Sequence, residues 1–388
     1  MDFELQWLLW ALPLAFALGW VASRWDVRQW QRDLQGSQKV YYKGLNLLLN
    51  EQHDKAIDAF IEAVQQDPDT SDLHFALGNL FRRRGEYERA VRVHQHLLGR
   101  ADLPKAERDR AQHALAQDFM KAGLFDRAEQ GYAALAGTSF DTEARLALLD
   151  LHERARDWRA ALEVGEQLEK SGTGSFASRI AHYWCEIALE ADAAHHGEDA
   201  DAAVAKARES APRDARPLVL AGERAAARGD HAAALVAWNL LMSVRPAAFN
   251  LVAKRYAANA RAAGLVGSAL ERLQTLYEQA PTMDLLETIA SLEADPAARA
   301  TRLLGHLREH PSLAAAQTVL GAMAATPSDA AGADSTAVAA VRDAVRRAAR
   351  PLHRYRCAAC GFEAEHYFWQ CPGCLGWDTY PPQRLEDL

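Results

Sequence analysis

Basic stripes are missing from this 388-residue sequence. Its 44 Lys and Arg are outnumbered by 52 Asp and Glu, for a formal net charge of −8, which excludes a protein built mainly to coat nucleic acid. Runs of Val, Ile and Thr are scarce, while Ala, Leu, Arg and Glu abound, so the expected fold is all-α. Enzyme signatures are missing too. There is no phosphate-cradling Walker loop, no GxSxG and no HExxH. His152-Glu153 is followed by Arg-Ala-Arg, so a zincin's second histidine is lacking. Gly172-Thr173-Gly174 runs into Ser-Phe-Ala and not into a dinucleotide fingerprint. The sequence gives no support for catalysis. Cysteine is rare before position 357: only Cys185 stands there, and the other four lie within 18 residues. That crowding is unlike a disulfide-stapled secreted chain. With 49% apolar and 25% charged residues, the chain is globular and not disordered.

Charge is also absent from residues 5–23 (LQWLLWALPLAFALGWVAS). Nineteen helical residues span about 28 Å, close to the hydrocarbon thickness of a bilayer. Trp7, Trp10, Trp20 and Trp25 sit near the two ends, as interfacial aromatics do. A cleaved signal peptide would need positive residues before the apolar run. Asp2 and Glu4 stand there, and Arg24, Arg28, Arg32, Lys39 and Lys43 follow the run. The expectation is a transmembrane anchor over residues 1–24 and a juxtamembrane linker over 25–36. The anchor is single-pass, and the bulk of the chain lies in the cytoplasm.

A period near 34 residues runs from about 37 to 311. Gly44, Ala56, Phe60, Ala63 and Pro68 correspond to Gly222, Ala234, Trp238, Leu241 and Pro246, with Gly78 and Ala90 between them. This resembles the tetratricopeptide repeat, a helix-turn-helix whose small residues let paired helices cross closely. The bulky residue is expected to plug the seam to the next repeat. The repeating alanine continues through Ala128, Ala161, Ala200 and Ala269. Turns are expected at Gly85, Gly123, Gly229 and Gly264. Less regular helices follow over 312–350, interrupted by a flexible linker at 325–336 (ATPSDAAGADST). Stacked repeats form a superhelix with a groove. The register offers Phe75, Asn79, Arg82, Arg83, His113, Gln117 and Lys121 as partner-binding candidates. Any one of these alone is an ordinary solvated residue; the groove as a whole suits a peptide or protein.

Residues 351–388 carry Cys357-Ala-Ala-Cys360 and Cys371-Pro-Gly-Cys374. Two CxxC knuckles supply four thiolates, which close a tetrahedral site around one metal ion. A closed site leaves no position for a reacting water. Gly361 and Gly376 are expected to take the positive φ that such knuckles need. Arg350, His353, Arg354 and Arg356 could offset the charge of the site. Tyr355, Phe362, Phe368, Trp369 and Trp377 would form an aromatic cap or a docking face. The module is too small to fold on core burial alone. Zinc is the expected ion. Iron is the alternative, because the knuckle pair also resembles rubredoxin, whose knuckles lie farther apart.

Several stretches bear a wider likeness: LGNLFRRRGE (77–86), AGLFDRAE (122–129), IAHYWCE (180–186) and the knuckles from Arg354 to Cys374. With the order anchor, repeats, knuckle pair, the chain resembles the lipopolysaccharide assembly protein B family of Gram-negative bacteria. The likeness is weakest over 191–336. It implies a non-catalytic inner-membrane adaptor facing the cytoplasm. Such an adaptor helps an FtsH-type membrane protease degrade the deacetylase that commits carbon to lipid A, alongside other inner-membrane lipopolysaccharide regulators. The metal ligands it implies are Cys357, Cys360, Cys371 and Cys374.

Overall fold

In the computed structural model, helices make up almost all of the described chain, which comprises residues 42–47, 49–67, 69–325 and 335–387 with the isolated positions 16, 18 and 20. The chain divides into two compact units, Met1–Leu151 and His152–Leu388. The first holds α1 (His53–Gln66), α2 (Ser71–Arg83), α3 (Tyr87–Leu98), α4 (Lys105–Lys121), α5 (Phe125–Ala133) and most of α6 (Asp141–Ala155). The second holds α7 (Trp158–Lys170), α8 (Ala177–Ala193), α9 (Gly197–Ser210), α10 (Ala215–Ala227), α11 (His231–Val244), α12 (Ala253–Ala262), α13 (Val266–Gln279), α14 (Met283–Leu292), α15 (Pro296–Glu309), α16 (Leu313–Ala325) and α17 (Ser335–Ala349). The cysteine module follows, with strands β1 (Tyr355–Arg356) and β2 (Glu363–Ala364). The result is the expected tetratricopeptide-like array of helix pairs, followed by a small C-terminal module that carries the two cysteine knuckles.

No helix among the described residues is long and apolar enough to cross a membrane. The expected span at 5–23 and the stretch 25–36 lie outside the described residues, as do Pro68 and 326–334 of the expected linker. Position 335 already begins α17.

The helix pairs repeat one device. Most pairs turn through a residue with positive φ, among them Gly85 at 80°, Gly123 at 75°, Gly229 at 79° and Gly264 at 70°; the turn from α14 to α15 has none, Glu293 and Asp295 having φ of −71° and −82°. Glu51, Arg156 and His195 adopt the same conformation at 57°, 56° and 61° without glycine's freedom. That explains why the glycine pattern missed their turns.

Small residues on the first helix seat the bulky residue of the second. A Cβ on Gly222 would lie 2.2 Å from Trp238 Nε1, and one on Gly78 would lie 2.5 Å from the His94 ring. The bulky residue therefore fills its own pair first. Trp238 is fully buried and donates from Nε1 to the Val219 carbonyl at 3.3 Å. Around it Leu218, Leu241, Phe249, Tyr256, Leu273 and Ile289 make the main core of the second unit. In the first unit, His94 also reaches onward: its Nδ1 lies 2.6 Å from Asp118 Oδ2. Arg82 ion-pairs with the other oxygen of Asp118 at 2.8 Å. This buried Arg–Asp–His chain links α2, α3 and α4, and a buried carboxylate is tolerable only when partnered in this way.

Candidate metal centre and groove

The two cysteine knuckles are built alike. In the first, Gly361 N–H donates to the Cys357 carbonyl at 2.9 Å, and Cys357 N–H to the Phe362 carbonyl at 2.9 Å. In the second, Leu375 N–H donates to the Cys371 carbonyl at 2.8 Å, and Cys371 N–H to the Gly376 carbonyl at 2.9 Å. Gly361 has φ 78°, as expected. In the second knuckle the positive φ falls on Leu375, at 60°, and not on Gly376. Gly376 is needed for closeness instead: a Cβ there would lie 2.7 Å from Thr379 Cγ2. Strand β1 pairs with β2 around the first knuckle, and a Gln370–Trp377 bridge closes the base of the second.

These turns bring the four sulfurs within 4.8 Å of one another. Cys357 Sγ lies 3.8 Å from Cys374 Sγ, and Cys360 Sγ lies 3.6 Å from Cys371 Sγ. A tetrahedral site with metal–sulfur bonds of about 2.3 Å needs edges of about 3.8 Å, whereas a disulfide needs about 2.05 Å. The donor set therefore fits a metal ion such as zinc. Cys357 and Cys371 are buried, while Cys360 and Cys374 are exposed. Burial pushes the Cys357 thiol up, but hydrogen bonds from Thr379 and from the N–H groups of Cys360 and Ala359 outweigh it and bring it to about 6. The Phe362 N–H favours the Cys360 thiolate. Burial and the three neighbouring sulfurs outweigh that and hold Cys360 at about 12. The Gly373 N–H points at Cys371 Sγ, 3.3 Å away.

The expected counter-charges are otherwise engaged. Arg356 pairs with Glu363 at 2.7 Å, Arg354 approaches the same carboxylate at 3.9 Å, and Arg350 lies 4.0 Å from Glu365.

The aromatic residues of the module divide into two sets. Phe362 and Phe368 face solvent, 45% and 38% exposed. Trp369, Trp377 and Tyr355 face the repeats. The Trp377 ring stacks on His182 with centroids 4.5 Å apart, and meets Trp158 and Tyr183 edge-on at 5.9 and 6.2 Å. Its Nε1 donates to Glu153 Oε1 at 2.9 Å. Glu153 is buried and also accepts from Arg179 at 3.0 and 2.8 Å and from the Tyr183 hydroxyl. Asp378 takes His182 Nε2 at 2.7 Å. Buried Arg216 lies over Trp377 and Trp369 at 5.5 and 5.9 Å while it holds Glu186 at 2.6 Å.

The segment after the knuckles also grips the array. Arg384 reaches both oxygens of Asp284 at 3.1 and 3.3 Å. Asp387 and Glu386 accept from the N–H groups of Met283 and Ala314 at 3.3 and 2.7 Å. Those N–H groups open α14 and α16, where carboxylates are favoured by the unpaired donors and by the helix dipole. Burial, with Asp284 and Glu386 nearby, pushes the Asp387 carboxyl up to about 6. A cleft of about 490 Å³ remains beside the seam, with His182, Arg216 and Arg245 on one wall and Tyr367, Trp369 and Tyr380 on the other.

The groove candidates fall in the first unit. Phe75 is a correction: its side chain is buried with Leu97, Leu103, Ala111 and Ala114, and Arg110 covers its ring at 4.0 Å. It serves packing and does not face a groove. Arg82 donates to Asn79 Oδ1 at 2.6 Å as well as to Asp118. His113 stacks on Phe140 at 4.8 Å and lies 3.4 Å from Gln117 Nε2. Arg83 and Lys121 are exposed. Cys185 is buried and its thiol is pushed up to about 12 by burial, which leaves it unreactive. The residues that sequence reasoning missed are Glu153, Arg216 and Asp284. They lie far from the knuckles in sequence, and only their burial as charged groups betrays them.

A family model described as the rubredoxin metal binding domain matches residues 355–381. Across the whole chain, lipopolysaccharide assembly protein B of Escherichia coli K12 is 32% identical, with 99% of each chain covered. The Haemophilus influenzae protein of the same name is 26% identical, again over 99% of each. Among solved structures, Naa15/Naa10 bound to HypK-THB is 15% identical and overlaps 82% of this chain and 47% of its own, with a TM-score of 0.43. With 32% identity sustained from end to end, the chain belongs to the lipopolysaccharide assembly protein B family.

Proposed function

We propose that the protein is a non-catalytic adaptor that controls lipopolysaccharide biosynthesis at the inner membrane. The end-to-end match to lipopolysaccharide assembly protein B carries this reading. A metal site whose four ligands all come from protein thiols agrees with it, since such a site offers no open coordination position. Residues 5–23 anchor the chain as a single span, with the following basic residues and the repeats on the cytoplasmic side. The ion is zinc. The client is the deacetylase that commits carbon to lipid A, presented to an FtsH-type membrane protease. Asn79, Arg82, Arg83, His113, Gln117 and Lys121 form the partner-facing side of the first unit. Tethering raises the local concentration of bound client near the protease.

The test is the half-life of the deacetylase in cells. Deleting the gene for this chain is expected to lengthen it several-fold. The full-length chain restores it, and a form lacking residues 1–24 does not at native expression level. An unchanged half-life alongside altered lipopolysaccharide output would replace this reading with a non-proteolytic scaffold for assembly or transport enzymes.

A further inference from the structure

The second helix of a repeat pair turns one face outward, and among the described helices those faces carry charge, with one exception. Helix α11 (HAAALVAWNLLMSV) has no Asp, Glu, Lys or Arg, whereas each of the other second helices, α1, α3, α5, α7, α9, α13, α15 and α17, carries at least three. Its inward side is accounted for by Ala234, Leu235, Trp238 and Leu241, which are buried. The outward side is apolar as well. Val236 is 69% exposed and Leu240 is 40% exposed. The exposed Ala233 and half-buried Ala237 flank them at helical spacing. A solvent-facing helix gains nothing from such a stripe, whereas a covered one does.

Beside the ridge runs a cleft of about 430 Å³ between α11 and α13. Asn239, Met242, Thr275 and Gln279 line it, together with Glu271 and Arg272 of opposite sign. A face that sets large residues beside small ones is self-complementary: under a two-fold rotation, each copy's Val236 and Leu240 meet the other's Ala237 and Ala233. We propose that α11 is an isologous interface with a second copy of this chain, the two helices packed antiparallel about an axis near Ala237. Val236 and Leu240 of one copy then rest on Ala233 and Ala237 of the other, and those small side chains let the axes approach to about 8 Å.

Charge argues for a second copy over a charged partner. The chain carries a net −8, so two copies repel wherever their acidic faces meet. The α11 face brings no like charges together. A helix of 14 residues is about 21 Å long. With the groove it presents a face about 20 Å wide, roughly 400 Å² per copy, about half of a standard interface. A face of that size is at the low end for specific association, so the dimer is expected to be weak.

Sedimentation velocity of the full-length, metal-loaded chain in mild detergent, from about 1 to 200 μM, tests this. Wild type is expected to pass from monomer to dimer across that range. Val236→Glu and Val236→Lys, at an exposed position, are each expected to weaken association at least tenfold. An equimolar mixture of the two is expected to recover it, because opposite charges then face each other across the axis. A wild type that stays monomeric throughout, a dimer that both variants leave intact, or a mixture no more associated than its components overturns the proposal.

Discussion

Replacing Trp377 with alanine removes the main tie between the metal module and the repeats. Three contributions are lost. The indole N–H to Glu153, at 2.9 Å, is a hydrogen bond to a charged group, about 1.5–3 kcal/mol. The stack on His182 and the edge contacts to Trp158 and Tyr183 are worth about 0.5–1.5 kcal/mol each, but they do not add fully. Covering half of the ring contributes about 2 kcal/mol. Allowing for overlap, the docked state is expected to lose about 3–4 kcal/mol. Trp377→Phe keeps most of the ring contact and leaves Glu153 with Arg179 and Tyr183, so about 1–2 kcal/mol is expected. Native-state hydrogen exchange reads the loss at the amides of Asp378 and Leu385, which donate to Trp369 and Arg354. The module folds with its metal, so the same 3–4 kcal/mol is expected to weaken metal affinity by about 10²–10³-fold. Unchanged exchange in Trp377→Ala, or an equal cost for Trp377→Phe and Trp377→Ala, would refute the assignment of this contact.

Other perturbations test separate parts of the account. Gly222→Ala drives a Cβ into Trp238, 2.2 Å from Nε1, and is expected to cost about 2–3 kcal/mol in urea denaturation. His195→Gly relieves a positive φ of 61° and is expected to raise the midpoint of thermal unfolding, the local gain being about 1 kcal/mol. The Asp387 carboxyl sits at about 6 in the folded protein and near 3.9 unfolded. The native state therefore binds the proton more tightly between those values. Stability gains from this group as pH falls from about 7 through the folded value of about 6 to about 4, and Asp387→Asn is expected to abolish that part of the pH dependence. The readout is the difference between the two proteins' denaturation midpoints at each pH, which cancels effects common to both.

Much of the array was legible because its spacing is enforced by sterics. Gly44, Gly78 and Gly222 each sit where a Cβ would strike the bulky residue of the partner helix, so the period survives in the sequence. The turns at Arg156 and His195 were not legible, because the backbone adopts positive φ there without the residue that advertises it. The knuckles were legible from their CxxC spacing, but Leu375 takes the strained position by analogy with Gly361, a detail that hydrogen bonding sets. Phe75 was misplaced because periodicity alone does not separate a groove-facing position from its buried neighbour one helical step away. The docking face was hidden for a different reason. Trp377 and Glu153 are 224 residues apart, and no local pattern links an indole donor to a carboxylate on another helix.

The central structural claim is that the four-thiolate module is a clip that completes the C-terminal repeats. The direct measurement is hydrogen exchange at the Met283 and Ala314 amides before and after metal removal by a chelator. Both amides donate to carboxylates of the segment that follows the knuckles, Asp387 and Glu386. If the module holds that segment in place, protection at both amides falls when the metal leaves and returns when zinc is restored. Protection that stays unchanged in the metal-free protein would contradict the claim and make the site a passenger on an array that is complete without it.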